Sequence, residues 1–542
     1  MKKMFKFFMC AAIVAAGFVG CSNEEVVPGG NNSADGTDGG ESTSATFNIK
    51  FVQTKAPATN MEQGTTGQDV INPTNIRLLI FNANDSLEIN EYYDTGATDW
   101  DVEMTKTVKL KSGQKKIFVS ANETAAIKTI IDGLKDLRSA SATSTYADFT
   151  AVLQYDLGGN GGKIWNTHTD SLDFVGGTSP TFDITKIMGT STARSFFLSS
   201  AIDASAVKNL KGKIEYDDSR NPPAGQEEAY NNFTIVVQRA VAKGVVFYNS
   251  ANPSILTTLD GLGALQAASL KYGIDNVNRS VNLFQQFSGT SVASTFYDIP
   301  YTAAGWINDG MRARFYPYFY KDYNLSNTMS GGTQSAIPTQ AVFFTENTKS
   351  WNLNANTTYA AIEAVFTPAD GKWISDLSYS TSLNNVTLTV GSSATPGGNI
   401  YALKVTNPAL EITNSGYTFE DLYLFTTQQA AYKALYLVLH SNLTGWSTSW
   451  SPTATELEDI DVYTGGKCYY RLDIGDGVGE NIDCIVKRNT QYQMMVTGFK
   501  TIGVNDRRKL DDDPWKEKPS DTHVTATIMV KAWEMVNGSG TV

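Results

Sequence analysis

Alternation of apolar and polar positions with period two, the signature of half-buried strands, runs through much of the chain. In Thr46-Phe47-Asn48-Ile49-Lys50-Phe51-Val52, Phe47, Ile49 and Phe51 share one face while Asn48 and Lys50 share the other. The stretch from Ile76 to Phe81 is more continuously apolar, as expected of a central sandwich strand. Thr107–Leu110 and Lys116–Ser120 flank Ser112-Gly113-Gln114, where Gly113 allows the positive φ of a tight hairpin, so the two are predicted to be neighbouring antiparallel strands. Ala126, Ile127, Ile130, Ile131 and Leu134 recur at helical spacing, predicting one short helix between Glu123 and Leu137 with Asn122 as N-cap. Thr234–Val237 and Gly244–Phe247 are again strand-like, and a stretch rich in Ser, Thr, Asn, Gly and Tyr follows them. At the far end Val524, Ala526, Ile528, Val530 and Ala532 alternate with His523, Thr525, Thr527, Met529 and Lys531, the most regular strand pattern in the sequence. The fold class these patterns predict is all-β with few short helices.

The first residues follow a different logic. Lys2, Lys3 and Lys6 precede an uncharged run from Phe7 to Gly20, too short to span a hydrocarbon core that needs about 20 residues, so residues 1–20 read as a secretion signal. Its end, Phe18-Val19-Gly20-Cys21, resembles the lipobox of bacterial lipoproteins, with Phe18 in place of the usual Leu; the alternative is an ordinary signal peptide. Acyl chains on Cys21 would tether the protein without a spanning helix. Ser22-Asn23-Glu24-Glu25 is similar to the signals that send such lipoproteins to the outer face of the outer membrane in Bacteroidetes. From Gly29 to Ser44 the only apolar residue is Ala34, so residues 21–45 read as a flexible tether.

Composition narrows the remaining classes. A length of 542 residues suggests about two to four domains, and the switch in character after Thr234–Val237 places a boundary near Gln238, giving domains 46–238 and 239–542. The net charge is −12, and losing the first 20 residues, with three lysines and no acid, takes it to −15. Such a chain lacks the basic surplus that nucleic acid requires. Three dispersed histidines, His168, His440 and His523, and the absence of HExxH, GxSxG and GxxxxGK[ST] leave no catalytic cluster, so neither an enzyme nor a cofactor is expected. The Asp- and Gly-rich loops beginning at Asp156 and Asp473 lack the glutamate an EF-hand needs at its twelfth position and read as turns. Of four cysteines, Cys468 and Cys484 form the only internal pair: either a disulfide contributing about 3 kcal/mol or two buried thiols. Tyr432, Tyr436, Trp446 and Trp450 form either a sugar-stacking platform or, as expected more often, a core around Leu435, Leu437 and Leu439. Arg507-Arg508-Lys509 before Asp511-Asp512-Asp513-Pro514 reads as a solvated, self-neutralising loop.

Several segments together resemble one family. Ser112-Gly113-Gln114-Lys115-Lys116-Ile117-Phe118-Val119-Ser120-Ala121-Asn122, Gln238-Arg239-Ala240-Val241-Ala242-Lys243, Val486-Lys487-Arg488-Asn489-Thr490-Gln491-Tyr492 with Gly503, and Val530-Lys531-Ala532-Trp533 follow the signal in an order similar to that of the FimA and minor-fimbrium type fimbrillins. These are pilus subunits of Bacteroidales, and the length favours the larger, minor-fimbrium type. The resemblance implies two tandem β-sandwich domains of transthyretin-like topology and a lipoprotein precursor that reaches the outer membrane. It also implies removal of the segment holding the first strand by a protease, and assembly into an adhesive surface fimbria by strand exchange. Phe47, Ile49 and Phe51 would then plug a groove, at about 1.5–3 kcal/mol each when fully buried. Cleavage in relatives follows an arginine; here the matching position offers Lys55, before Ala56. Residues 523–536, with Val524, Ala526, Ile528, Val530 and Trp533, are the implied donor strand, which favours a shaft subunit over a tip. The implied partners are copies of itself, other fimbrial subunits, outer-membrane lipid and surface receptors. Without the resemblance, both segments read as ordinary edge strands, and a glycan-binding surface lipoprotein of β-sandwiches is the alternative function.

Overall fold

The structure, a computed structural model, describes residues 42–51, 74–94, 103–139, 141–158, 183–190, 196–211, 231–258, 261–288, 327–333, 341–348, 357–380, 385–404, 422–475, 484–511 and 524–532, with a few short pieces between them. The chain opens with strands β1 (Ser42–Phe51), β2 (Asn75–Asn82), β3 (Leu87–Asp94), β4 (Glu103–Lys111) and β5 (Gly113–Ala121). Helices α1 (Ala125–Asp132) and α2 (Tyr146–Ala151) follow, then β6 (Gln154–Asp156), β7 (Leu198–Ser199), β8 (Val207–Leu210) and β9 (Asn232–Arg239). One eight-stranded sheet runs β3-β2-β5-β7-β9-β1-β4, with β8 also on β5. Its two ends face each other: Phe47 and Ile49 of β1, Val108 and Leu110 of β4 and Ile235 and Val237 of β9 share a core with Leu78 and Ile80 of β2 and Ile117 and Val119 of β5. Leu79 and Phe81 point the other way, onto Ile127 and Ile131 of α1 and Phe149 of α2. That double coverage buries all eight residues of β2 and explains its unbroken apolar run.

Three local expectations fail here. Gly113 does take a positive φ of 108°, but β4 pairs with β1 and β5 with β2, so the turn joins opposite layers of the sandwich and is not a hairpin. Alternation reports which face is buried, not which strand lies alongside. The helix is shorter than its apolar spacing implies, and its N-cap is Thr124, whose Oγ accepts from the Ile127 amide at 3.5 Å. Asn122 instead sits at φ 56° and accepts from the Thr74 amide at 2.8 Å. Finally, β1 begins at Ser42 and takes in four residues assigned to the tether; the alternation continues through buried Thr43 and Ala45, which polarity and small size conceal.

A single residue, Ala240, separates β9 from β10 (Val241–Asn249), which belongs to another sheet. Onward come β11 (Lys271–Asp275), β12 (Ser280–Asn282), β13 (Val342–Thr345), β14 (Tyr359–Pro368), β15 (Ile374–Ser380), β16 (Asn385–Val390), β17 (Ile400–Lys404) and β18 (Leu422–Phe425). The chain closes with α3 (Gln428–His440), β19 (Ile460–Tyr463), β20 (Lys467–Asp473), β21 (Thr490–Phe499) and β22 (Val524–Ala532). β10 lies parallel to β21 and antiparallel to β13, and β22 lines the far side of β21. β14 lies between β11 and β20. Val246, Tyr492, Met494 and Val496 of the first group meet Tyr272, Ile362, Phe366 and Tyr470 of the second in one core, a second sandwich.

Between β14 and β20, which pair with each other, the chain inserts a five-stranded sheet, β16-β15-β18-β17-β19, covered by α3. Its separate core joins Leu377, Leu403 and Phe425 to Ala434, Leu435 and Leu437. The sequence reading missed α3, although Thr427 accepting from the Ala430 amide at 3.3 Å is a regular N-cap.

Cys468 and Cys484 are both buried reduced thiols, not a disulfide. The Cys468 sulfur lies in the second core, 3.6 Å from the Ala364 carbonyl and 3.5 Å from the Tyr470 hydroxyl, and burial pushes its thiol up to about 12. Nor is the Arg507 loop simply solvated. The Arg507 side chain is buried, with its guanidinium 2.8 Å from Asp275, while Lys509 bonds Asp461 at 2.6 Å.

Candidate assembly site

β1 is an interior strand: β4 covers one side in antiparallel register from Ser42↔Lys111 to Lys50↔Glu103, and β9 covers the other in parallel register from Thr46↔Asn232 to Phe51↔Val237. Among the described residues β4 has no other registered partner. The edge-strand alternative for this segment is therefore not what the chain adopts. Phe47 and Ile49 are 0% exposed, and the Phe47 ring stacks on Phe233 with centroids 6.0 Å apart. The side chain of Phe51 lies outside the described residues.

Polar groups fix the register. At the entry of β1 the buried Asn231 donates from Nδ2 to Thr43 Oγ, to the Ser44 carbonyl and to the Lys211 carbonyl, each at 3.1 Å, and accepts from the Lys211 amide at 3.0 Å. Its own carbonyl accepts from the Thr46 amide at 2.8 Å. On the outer face Thr46 meets Thr107 at 3.1 Å, while Asn48 accepts from Thr105 at 2.9 Å and donates to Asn232. The apolar pattern revealed the inward face of β1; Asn231 lies 188 residues from Thr43 and carried no signal in the sequence.

β22 occupies a different situation. It is the end strand of its sheet, antiparallel to β21 from Phe499↔Val524 to Thr490↔Ala532. Ala526 and Ile528 are half-buried against the second core. The side chains of Val524 and Val530, and the whole of Trp533, lie outside the described residues, as do Cys21, Lys55, Ala56, His168 and His523.

Two of the segments whose order resembles the fimbrillins, 238–243 and 486–492, meet at the passage between the two sandwiches. Arg239 donates to Asn489 Oδ1 at 3.1 Å, and the Asn489 amide donates to the Val241 carbonyl at 2.8 Å. Beside them Arg488 is buried, donating to Glu346 at 2.8 Å and to the Asn282 carbonyl at 2.6 Å. Removing one member of such a buried pair is far more damaging than the pair is stabilising, which accounts for arginines here in a chain of low charge. Tyr436, in contrast, lies tilted with its ring centroid 4.1 Å from that of His440 and meets Trp450 and Trp446 at 5.2 and 5.6 Å, so Tyr432, Tyr436, Trp446 and Trp450 pack largely on one another at the end of α3. Among the described residues no group of acidic, His and Cys side chains could hold a metal; Asp156 pairs with Arg279 and Asp473 with Arg471.

The architecture is that of an all-β sandwich protein, its first sandwich closed by the N-terminal strand. The profile of a family described as major fimbrial subunit protein (FimA) matches residues 45–155, and that of major fimbrial subunit protein type IV, fimbrillin, C-terminal, matches residues 461–538. With one match in each half, these profiles support a Bacteroidales fimbrillin family for the chain. Among curated proteins nothing matches. A fimbrilin from Porphyromonas gingivalis W83 is similar over 91% of this chain and 99% of that one, at 12% identity and a TM-score of 0.41. The tip fimbrial protein Mfa3 of Porphyromonas gingivalis is similar over 90% and 99%, at 11% identity and 0.32, and the anchor protein Mfa2 over 90% and 98%, at 9% and 0.24. The matched families support a structural, non-enzymatic subunit of a cell-surface fimbrium.

Proposed function

We propose that the subunit polymerises by strand exchange at β1 and that the fibre serves adhesion. The observation that carries this reading is the position of β1: an interior strand that is also the first of the described strands, so one cut in the segment that follows separates it from the rest of the described fold. Its loss leaves an apolar slot between β4 and β9 with peptide groups unpaired on both sides, a vacancy that an extended strand from another chain fills.

β22 is the donor in this scheme. Among the described residues it has one partner strand in its own subunit, with Ala526 and Ile528 half-buried, whereas the slot offers two partner strands and positions as fully buried as Phe47 and Ile49. Leaving β21 for a neighbour's slot therefore increases both ladder hydrogen bonds and burial. The precursor is lipidated at Cys21, travels to the outer membrane, and is cut after Lys55, before Ala56, on the way to the fimbria. Purified precursor trimmed by trypsin at Lys55 is expected to give SDS-resistant ladders or filaments; a cleaved product that stays monomeric at high concentration would count against strand exchange.

A further inference from the structure

A second opening lies on the other side of β9. In the parallel ladder with β1, the Thr46 amide bonds the Asn231 carbonyl. Alternation then turns the peptide groups of Phe233, Ile235 and Val237 towards β1 and those of Thr234, Val236 and Gln238 away from it. Gln238 meets Ser199 of β7, but no described strand is registered against Thr234 or Val236. In that gap lies a groove of about 350 Å³, walled on one side by Thr234, Val236 and Gln238 and on the other by Asp203, Ser205 and Lys208. Five large apolar side chains stand exposed among the described residues, and one of them, Val236 at 50%, lines this groove.

We propose that this open side of β9 receives an extended segment of a second copy of this chain, a contact additional to the one in the β1 slot. The inference rests on the fimbrial-subunit reading, which supplies another copy as the neighbour, and on continuity, since only β9 separates the two sites. An incoming strand would satisfy the peptide groups of Thr234 and Val236 and cover the apolar Val236 side chain that water now touches. The groove stands beside β9 while β1 is still in place, so it does not depend on the cut that opens the other slot.

The test is thiol accessibility. Cys468 and Cys484 are buried, so a maleimide reads an introduced thiol against a quiet background. Val236→Cys, and Val390→Cys as a control at a 49% exposed position of the inserted sheet, replace surface side chains where folding tolerates change. Both variants are expected to label in the precursor, and in fibres Val236→Cys should lose its labelling while Val390→Cys keeps it. Fibres in which Val236→Cys labels as readily as in the precursor overturn this proposal alone. A chain that makes no fibres at all overturns the fimbrial reading and this proposal with it.

Discussion

Replacing Phe47 with alanine should lower the stability of the full-length precursor by about 3–5 kcal/mol, the usual range for a buried aromatic truncated to a methyl group. The ring is wholly buried, stacks on Phe233 and sits in a core shared by seven other strands, leaving the cavity little room to collapse. The informative part is where the loss disappears. Under the proposed exchange β1 leaves on processing, so fibres grown from Phe47→Ala precursor should match wild-type fibres in denaturant resistance, while the precursor itself unfolds at lower urea. A variant whose fibres weaken as much as its precursor would place Phe47 in the permanent core and remove β1 from the role of plug.

Removing residues 523–542 should abolish fibre growth altogether. The first sandwich, with its β1 slot, makes no use of β22, so circular dichroism should still show a folded β protein and cleavage at Lys55 should still open the slot. Among the described residues the second sandwich loses an end strand and the cover of Ala526 and Ile528. A synthetic peptide of residues 523–536 added to the cleaved, truncated subunit should bind and remain bound in SDS. Fibres that grow at the normal rate from the truncated chain would show that another segment is the donor.

Much of this arrangement is legible in the sequence because burial writes itself into side-chain polarity. Phe47 and Ile49, the unbroken apolar run of β2 and, in β22, Ala526 and Ile528 each report a face correctly. Strand neighbours leave no such trace. β4 and β5 adjoin in sequence and share a core, yet they bond to different strands, because a turn between layers and a hairpin between partners use the same Gly113. Start sites are misread where a strand continues through polar or small residues, as at Thr43 and Ala45. Long-range polar anchors such as Asn231 to Thr43 and Ser44, or Arg488 to Glu346, have no period and no local spacing, so only the folded chain reveals them. The missed helix α3 is different: Thr427 followed by Ala430, Ala431, Ala434 and Leu435 carries both cap and period, and the Leu435-Leu437-Leu439 alternation masked it.

Amide hydrogen exchange at β4 and β9, compared in the precursor, the Lys55-cleaved monomer and the fibre, addresses strand exchange most directly. In the precursor the amides of Phe233, Ile235 and Val237, together with those β4 directs at β1, should be slow to exchange. They should become fast in the cleaved monomer, where the neighbour between them is gone, and slow again in the fibre. Protection that persists through cleavage, or fibres that still contain residues 42–51 of the same chain in place, would contradict the exchange of β1 for a neighbour's strand.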